Sequence, residues 1–417
     1  MRNECPLALT CPALCDILKA GMQRRFLKPR ALVAIVLAAA FTAAVFLLAG
    51  CGPEGRRFDM YGYFGTYSSV VIGNYGDVAD AADEAAEEIE AALAGIENAV
   101  SASTETSDVY RFNAAAPGER LEISGTAYEV LEAAMKMYEE TDGAYNPAVG
   151  NLVDLWGFSP RFESADYEPT EPYDRPAQSV PDEEYIEAFS DPALLDFGAV
   201  VLEETGGKYY VTKPDASVTV GGKTYTMRID LGGIGKGYAA DRCYDLLEAR
   251  GLTESYVAIG TSSLRLGLSA ETPDGAPEEG MWRVTITHPR GAGQYLSVYA
   301  KDTAASTSGD YERYFIEDGV RYCHIVDPFT GYPTATGYVT GSLFGRTAAE
   351  GDALTTALAV MERSEAEAFA AGLEGCKYAL LYYNENTGGY ELVTNMSESE
   401  YVLYDESITV TESGDVG

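Results

Sequence analysis

Residues 229–241 read IDLGGIGKGYAAD: an apolar segment ends at Asp230, and glycines then lead into a helix predicted over residues 235–250. Glycines expose backbone N–H groups and allow a phosphate to approach closely, and a helix N-terminus favours an anion. Lys236, in the first predicted turn, can reach the same phosphate. The pattern matches neither the Walker loop nor the dinucleotide fingerprint. The segment therefore predicts a strand–turn–helix unit, built either for an anion or only for tight packing.

Strand-like and helix-like segments occur in blocks on both sides of this unit. Short strands alternate with turns from residue 199 to residue 226, and an amphipathic helix is predicted over residues 79–100. A second helix is predicted to begin near Thr126, at a capping-box pattern, and to end at Gly143. Blocks of this kind, without strict βα alternation, favour an α+β fold with antiparallel sheet.

The N-terminal fifty residues have the pattern of a secretory signal. Basic residues follow Met22, an uncharged apolar run covers residues 31–49, and Leu-Ala-Gly precedes Cys51. The ending resembles the lipobox of bacterial lipoproteins, whose cysteine is acylated. We predict a signal peptide over residues 1–50, with Met22 as an alternative start, and a lipid-anchored tether at 51–57. The alternative is an uncleaved membrane anchor, because an apolar run of this length could just span a bilayer.

The remainder of the chain is acidic: the whole sequence has 29 Lys+Arg against 65 Asp+Glu, a net charge of −36. This charge excludes nucleic-acid binding through phosphates, and it makes a covalent lipid a sensible tether to an anionic membrane surface. The cysteines after residue 51 show no paired spacing, so no disulfide framework or zinc site is predicted. We predict one catalytic domain over residues 58–396, with a proline-rich surface insertion at 157–192 and an acidic tail at 397–417.

Two further segments contain residues suited to chemistry. Asp352 and Thr356 are four residues apart on a predicted helix, so they share one face and offer oxygen ligands to a cation such as Mg²⁺. Alone, this pair is more often an acid near a helix start and a threonine that bonds its own backbone. His324, beside Asp327, is a candidate general base, although a structural histidine is commoner; the other histidine is His288.

The order of these segments resembles the ApbE-type flavin transferases, the FAD:protein FMN transferases that attach FMN to a Ser or Thr of a partner protein. The resemblance extends from Tyr61 to about Met361. It rests on Phe64-Gly-Thr66, Ser107 with Asn113, TDGAYNPAVGNLVDLWGF at 141–158, IDLGGIGKGYAAD at 229–241, TSGDY at 307–311, HIVDPFTGYP at 324–333 and GDALTTAL at 351–358.

The resemblance implies a two-lobed α+β fold with flanking helices, in which FAD binds between the sheet and the loops and one Mg²⁺ bridges its pyrophosphate. The implied metal ligands are Asp352, Thr356 and the carbonyl of Gly233. The implied FAD contacts are Phe64, Ala144, Tyr145, Asn146, Asp230, Lys236 and Val326. His324 is expected to assist proton removal from the acceptor hydroxyl, and Asp327 to orient its loop.

The same resemblance implies that AMP leaves and that the acceptor is an extracytoplasmic, flavin-bearing subunit of a membrane redox complex. The enzyme is then expected on the extracytoplasmic face of a bacterial cell membrane, held by its lipid. Two alternatives remain open: an FAD-binding lipoprotein without turnover, and an FAD pyrophosphatase that releases FMN and AMP. The chain departs from the family pattern at Phe64 (commonly Met), Ser103 (often aromatic), Asn146 (often Asp) and the turn at 260–264, usually a double glycine.

Overall fold

The computed structural model describes residues 55–159 and 178–412. The predicted signal peptide, Cys51, most of the predicted tether, residues 160–177 of the predicted insertion and the last five residues lie outside the described part. No helix within the described ranges is both long enough and apolar enough to cross a bilayer.

The described part of the chain contains both helices and strands, which alternate irregularly along the sequence. The helices are α1 (Tyr75–Val100), α2 (Asp108–Ala114), α3 (Gly125–Glu140), α4 (Gly150–Leu155), α5 (Glu183–Phe189), α6 (Pro192–Leu195), α7 (Gly235–Glu248), α8 (Ala348–Val360) and α9 (Arg363–Gly372). The strands are β1 (Arg56–Tyr63), β2 (Thr66–Ile72), β3 (Arg120–Ile123), β4 (Val201–Thr205), β5 (Lys208–Thr212), β6 (Ser217–Val220), β7 (Lys223–Thr226), β8 (Ser255–Ile259), β9 (Ser263–Leu266), β10 (Trp282–Thr287), β11 (Gln294–Ala300), β12 (Thr303–Gly309), β13 (Tyr314–Glu317), β14 (Val320–Cys323), β15 (Tyr338–Phe344), β16 (Lys377–Asn384), β17 (Gly389–Thr394), β18 (Tyr401–Leu403) and β19 (Thr409–Glu412).

A nine-stranded sheet in the order β1-β2-β8-β9-β12-β15-β16-β17-β19 forms the centre of the larger lobe. Its pairs are antiparallel except β17–β19, which is parallel. Helices α1, α7 and α8 pack together beside this sheet, and the apolar stripe predicted for α1 is buried there: Ile89, Leu93, Ile96 and Val100. The α+β class with antiparallel sheet is confirmed, and we call this part the sheet lobe.

A second hydrophobic cluster, which we call the Trp156 lobe, gathers α4, α5, α6 and the β6–β7 and β13–β14 hairpins. Trp156 is 0% exposed, and its indole stacks on the rings of Phe315 and Tyr322. The Trp156 Nε1–H donates to the carbonyl of Gly331 at 2.8 Å, which ties the lobe to the 324–333 segment. Two apolar clusters of this kind give the two-lobed arrangement that the resemblance implies.

Three predicted boundaries are wrong. Residues 397–412 are not a tail, because β18 pairs with β11 and β19 pairs with β17. The described part of the 157–192 insertion is not a surface excursion, because α5 buries Ile186 and Phe189 in the Trp156 lobe. The predicted tether ends earlier than 57, because β1 begins at Arg56. Short strands and a seven-residue helix in acidic surroundings give too weak a periodicity for sequence to reveal them.

The second predicted helix also begins elsewhere than expected. Its N-cap is Ser124, whose hydroxyl accepts a hydrogen bond from the Ala127 amide at 3.1 Å, so the pattern at Thr126 is not the cap. Gly143 has a φ of 84°, as predicted for a residue that ends a helix in the left-handed region.

Candidate active site

A cleft lies between the sheet lobe and the Trp156 lobe. One wall comes from the loop after α3, the 230–233 turn and the first turns of α7 and α8, and the other from α4 and the 324–326 segment. The structure brings together ten of the predicted site residues in this cleft: Ala144, Tyr145, Asn146, Asp230, Gly233, Lys236, His324, Val326, Asp352 and Thr356.

Phe64 and Asp327 are not among the described residues that line the cleft. Phe64 and Gly65 have φ of 53° and 61° in the tight turn between β1 and β2, and the Phe64 ring lies 3.7 Å from the Cβ position of Gly235. The Asp327 carboxylate accepts hydrogen bonds from the Phe329 amide at 2.8 Å and the Thr330 hydroxyl at 2.9 Å. The Phe64 ring therefore packs against the start of α7. The Asp327 carboxylate stabilises the turn that follows it.

The predicted metal ligands meet at the base of the cleft. Asp352 is 6% exposed, and its two carboxylate oxygens accept hydrogen bonds from the Ser263 hydroxyl at 2.8 and 2.7 Å. The Gly237 amide donates to Oδ2 of the same carboxylate at 2.7 Å. Burial raises the pKa of Asp352 to about 6, against the opposing effects of Lys236 and these hydrogen bonds. A cation beside this carboxylate would relieve that cost.

These residues fit a hard divalent cation. The Thr356 Oγ1 lies 3.3 Å from the Cβ position of Gly233, so hydroxyl and glycine backbone adjoin, one helical turn from Asp352. Nearby, the buried hydroxyl of Tyr145 has no hydrogen-bond partner in the described part of the chain. Carboxylate, hydroxyl and carbonyl oxygens are the donors that Mg²⁺ takes, with remaining positions filled by water and substrate oxygens. Residues 55–159 and 178–412 contain no cluster of three or more His, Cys, Asp or Glu, so such a site depends on neutral oxygens.

The glycine turn differs from the expected phosphate cradle. The Gly232 amide donates to Asp230 Oδ1 at 2.7 Å, and the amides of Ile234 and Gly235 donate to the Leu231 carbonyl. These three amides are therefore satisfied within the turn, and Lys236 is the residue of this segment that brings a positive charge to the cleft. Tight packing, the other role predicted for this segment, is also present, because the first turn of α7 contacts the first turn of α8.

The segment before this turn is not the predicted strand, because among the described residues it forms only an isolated bridge, from Arg228 to Val149, and a buried amide pair fixes it. The Asn113 side chain, at the end of α2, accepts from the Ile229 amide at 2.8 Å and donates to the Ile229 carbonyl at 2.9 Å. The end of α2 is in turn held by Lys213, whose ammonium donates to the carbonyls of Phe112, Asn113 and Ala115 at 3.0 to 3.1 Å. The position of Asp230 therefore depends on the contact of its neighbour Ile229 with Asn113, more than a hundred residues earlier in the sequence.

We expect Lys213→Met to lower the free energy of unfolding by about 3 kcal/mol, because three carbonyls lose their donor. Lys213 is 1% exposed, and burial, followed by the charge of Arg228, lowers its pKa to about 8, so part of the loss is offset by removing a buried charge. Urea unfolding monitored by circular dichroism measures the change. Lys208→Met is the control: this exposed lysine pairs with Glu122 on the surface and should change stability by less than about 1 kcal/mol. Equal effects of the two variants would contradict a capping role for Lys213.

His324 is half-buried at the Trp156-lobe side of the cleft, and its Nδ1 is buried, with no hydrogen-bond partner among the described residues. Burial lowers its pKa well below 6.5, and the charges of Arg313 and Lys236 lower it further. The imidazole is therefore neutral at physiological pH. A neutral imidazole has one unprotonated nitrogen, which can accept a proton or a hydrogen bond.

Sequence reasoning missed several cleft residues, chiefly Glu312 and Arg313, which directly follow the TSGDY segment, and Ser262 in the 260–264 turn. The Glu312 side chain stays open to solvent, yet desolvation by the surrounding protein raises its pKa against the charges of Lys236 and Arg313. Arg313 Nη1 donates to the Phe158 carbonyl at 3.0 Å. The only sequence signal for this pair is its place immediately after a recognised motif.

Comparison with known proteins shows that residues 64–380 match the model of the ApbE family, well over half of the chain. The chain belongs to the ApbE family. An FAD:protein FMN transferase of Treponema pallidum is 33% identical over 331 residues, which cover 76% of this chain and 83% of the relative. The predicted family and the predicted enzyme class, a flavin transferase, are confirmed.

Solved ApbE structures share the fold of this ApbE-family chain. The ApbE protein of Thermotoga maritima is 28% identical with a TM-score of 0.62, over 81% of this chain and 96% of that protein. The flavin transferase ApbE of Vibrio cholerae is 26% identical with a TM-score of 0.64, over 83% and 98% of the two chains. The expected two-lobed ApbE-like architecture is confirmed.

Proposed function

We propose that this ApbE-family protein transfers the FMN moiety of FAD to a Ser or Thr hydroxyl of a partner protein, in a Mg²⁺-dependent reaction that releases AMP. The observation that carries the proposal is the grouping of a buried carboxylate, Asp352, with Thr356, Gly233 and Lys236 at the base of one cleft. A carboxylate buried at that depth without a paired cation is costly, and a Mg²⁺ bound to a pyrophosphate supplies the missing charge. Relatives that carry the name FAD:protein FMN transferase support the same activity.

In this proposal Gly233, Asp352 and Thr356 hold the Mg²⁺, which supplies neutralisation of the pyrophosphate charge. Lys236 places a positive charge against the phosphates, where charge develops on the leaving group. Tyr145 and Val326 offer apolar surface to the flavin or adenine. Asn146 fixes the wall of the cleft in place, because its side-chain amide donates to the Leu195 carbonyl at 2.8 Å. The residues of the cleft therefore divide into those that bind rings and those that bind phosphates.

The transfer forms one bond and breaks one. The acceptor oxygen bonds to the FMN-side phosphorus, the bond from that phosphorus to the bridging oxygen breaks, and AMP leaves with that oxygen. The hydroxyl proton passes to the unprotonated nitrogen of His324, whose imidazole is neutral. The negative charge of bound FAD raises the proton affinity of this imidazole, because it offsets the nearby Arg313 and Lys236.

We expect His324→Asn to lower kcat by about 10²-fold or more, because loss of general-base assistance typically costs that much, while FAD binding stays within a few-fold. Flavin transfer followed over time and FAD titration by fluorescence separate the two quantities. His288→Asn is the matched control, since His288 bonds Asp405 at 3.1 Å just beyond the ends of β10 and β18 and does not line the described cleft. Full kcat in the His324 variant would assign proton removal to another group.

The setting of the reaction is also a proposal. We infer that Cys51 is acylated and that the enzyme is held at the extracytoplasmic face of a bacterial membrane, where it modifies a flavin-bearing subunit of a membrane redox complex. The basic, apolar and Leu-Ala-Gly-Cys sequence of residues 22–51 supports the anchor, and the strongly acidic remainder argues against binding to an anionic lipid surface by charge.

The decisive experiment mixes the detergent-solubilised full chain with FAD, Mg²⁺ and a purified acceptor domain that carries the expected threonine. Covalent fluorescence on the acceptor in a denaturing gel, AMP release, and loss of both on chelation of Mg²⁺ are the expected results. Free FMN and AMP without a fluorescent band would replace the proposal by an FAD pyrophosphatase. Bound FAD without cleavage would leave a flavin-binding lipoprotein.

A further inference from the structure

The first turns of α7 and α8 press directly against each other below the cleft. A Cβ on Gly237 would lie 2.0 Å from the Ala348 carbonyl oxygen, so the two backbones touch where only glycine fits. Lys236 and the Gly237 amide come from α7, whereas Asp352 and Thr356 come from α8. The relative position of these two helix starts therefore decides where the carboxylate and hydroxyl lie with respect to the ammonium.

Asp241, one turn beyond Gly237 on α7, bonds the start of α8. Its Oδ1 accepts from the Ala348 amide at 2.9 Å and its Oδ2 from the Ala349 amide at 3.0 Å. These are the first two N–H groups of α8, which have no partner within their own helix. The helix's own N-cap, Thr347, accepts from the Glu350 amide at 3.1 Å and leaves both of them free.

A carboxylate from one helix thus completes the cap of another, and it does so with both oxygens. The arrangement suits the positive end of the α8 dipole, and Arg265 Nε lies 3.9 Å from Oδ1 on the other side. Two bonds in a fork fix the direction as well as the distance of the α8 start. A single bond, or a solvent molecule, would leave α8 free to rotate or slide against α7.

We propose that Asp241 is a positioning residue for the Mg²⁺ ligands: by clamping the first two amides of α8 it sets the place of Asp352 and Thr356 relative to α7. This inference rests on the proposed Mg²⁺-dependent function. Mg²⁺ requires near-octahedral oxygens at about 2.0 to 2.1 Å, so a displacement of roughly 0.5 Å in α8 is enough to weaken the site. The Gly237 amide transmits the same constraint, because it bonds the Asp352 carboxylate itself.

The test compares Asp241→Ala and Asp241→Asn with Asp245→Asn in the full chain. Asp245 is exposed one turn further along α7 and pairs with Arg242 at 3.1 Å on the same helix, so it shares the charge and the helix but not the clamp. Mg²⁺ binding to the FAD-loaded protein is measured by calorimetry without acceptor. The Mg²⁺ concentration that gives half the maximal transfer rate is measured separately.

We expect Asp241→Ala to weaken Mg²⁺ binding by about 10- to 100-fold, the range typical of residues that orient metal ligands, and Asp241→Asn to weaken it less, because one acceptor oxygen remains. Asp245→Asn should bind Mg²⁺ like the wild type. Saturating Mg²⁺ should restore most of kcat in the Asp241 variants, and FAD affinity in the presence of a chelator should not change.

Unchanged Mg²⁺ affinity in Asp241→Ala would overturn the inference, as would a loss of kcat that saturating Mg²⁺ does not repair. If Asp241→Ala fails to fold, Asp241→Asn, which keeps size and one oxygen, decides the same question. Calorimetry needs no acceptor, so it tests the role of Asp241 separately from flavin transfer. A wild type that binds Mg²⁺ but transfers no flavin would contradict the proposed function, and the role of Asp241 in Mg²⁺ binding could still be tested. A wild type that binds no Mg²⁺ would sink the clamp.

Discussion

Asp352→Asn is expected to lose Mg²⁺-dependent flavin transfer by at least about 10²-fold, because it removes the one carboxylate among the proposed metal ligands and with it several kcal/mol of charge stabilisation. The fold should survive, since asparagine matches aspartate in shape and can still accept from the Gly237 amide and meet the Ser263 hydroxyl. Rates measured over a range of Mg²⁺ concentrations check the first point, and thermal unfolding checks the second.

Asp352 is also expected to make the stability of the metal-free protein depend on pH, and the same variant tests this. The pKa of Asp352 is raised from its ordinary value of 3.8 to about 6, so the folded state holds this proton more tightly than the unfolded chain. The contribution of this group to stability is therefore present below about pH 4 and is lost as the pH rises through 6. The loss amounts to about 3 kcal/mol. At pH 7 without metal, Asp352→Asn should thus be the more stable protein.

Added Mg²⁺ should reverse that order, because a ligand that binds only the folded wild type raises its stability, and the gain grows with the ratio of the ligand concentration to Kd. The asparagine variant should gain little. A wild type whose unfolding temperature ignores Mg²⁺ would contradict the metal assignment, as would an asparagine variant that transfers flavin at the normal rate.

Gly237→Ala is expected to lower the free energy of unfolding by about 3 kcal/mol, because its Cβ would lie 2.0 Å from the Ala348 carbonyl oxygen, a backbone atom that cannot turn aside. The helices must then part, so flavin transfer should fall together with stability. Denaturant unfolding and transfer rates on the same preparation measure both.

Gly95→Ala provides the opposite expectation with the same chemical change. Gly95 lies inside α1, is exposed, and has no atom of the described ranges within 4 Å of its Cβ position, so alanine should stabilise the helix by about 0.5 to 1 kcal/mol. If Gly237→Ala were as harmless as Gly95→Ala, the close approach of α7 and α8 would not be a constraint in solution.

The sequence alone predicted the candidate metal and phosphate residues, but it did not predict the residues that hold them in place. The four-residue spacing of Asp352 and Thr356 and the place of Lys236 after a glycine turn are local patterns, and helical geometry converts such patterns into a shared face. Ser263, which holds Asp352, lies 89 residues away along the chain, and the Gly237 amide lies 115 residues away. No periodicity records contacts of that range, so the clamp and the hydroxyl support became visible only in the fold.

The errors in domain organisation have a similar origin. Residues 178–192, the described part of the predicted insertion, are predicted as surface from proline and acidic content, yet apolar side chains such as Phe189 are buried in the core of the Trp156 lobe. The final strands, β18 and β19, contain three and four residues and gain their stability from partners already in place. Composition describes a segment by itself, whereas these segments are ordered by what they pack against.

The start of β1 at Arg56 has a consequence for where the enzyme can work. With Cys51 acylated, as proposed, five steps along the backbone separate the lipid from the edge of the nine-stranded sheet, a reach of at most roughly 17 Å. The enzyme would then stand close above the headgroups and meet acceptors by lateral diffusion in the plane of the membrane. The reach of the tether would therefore limit which acceptor hydroxyls the cleft can meet.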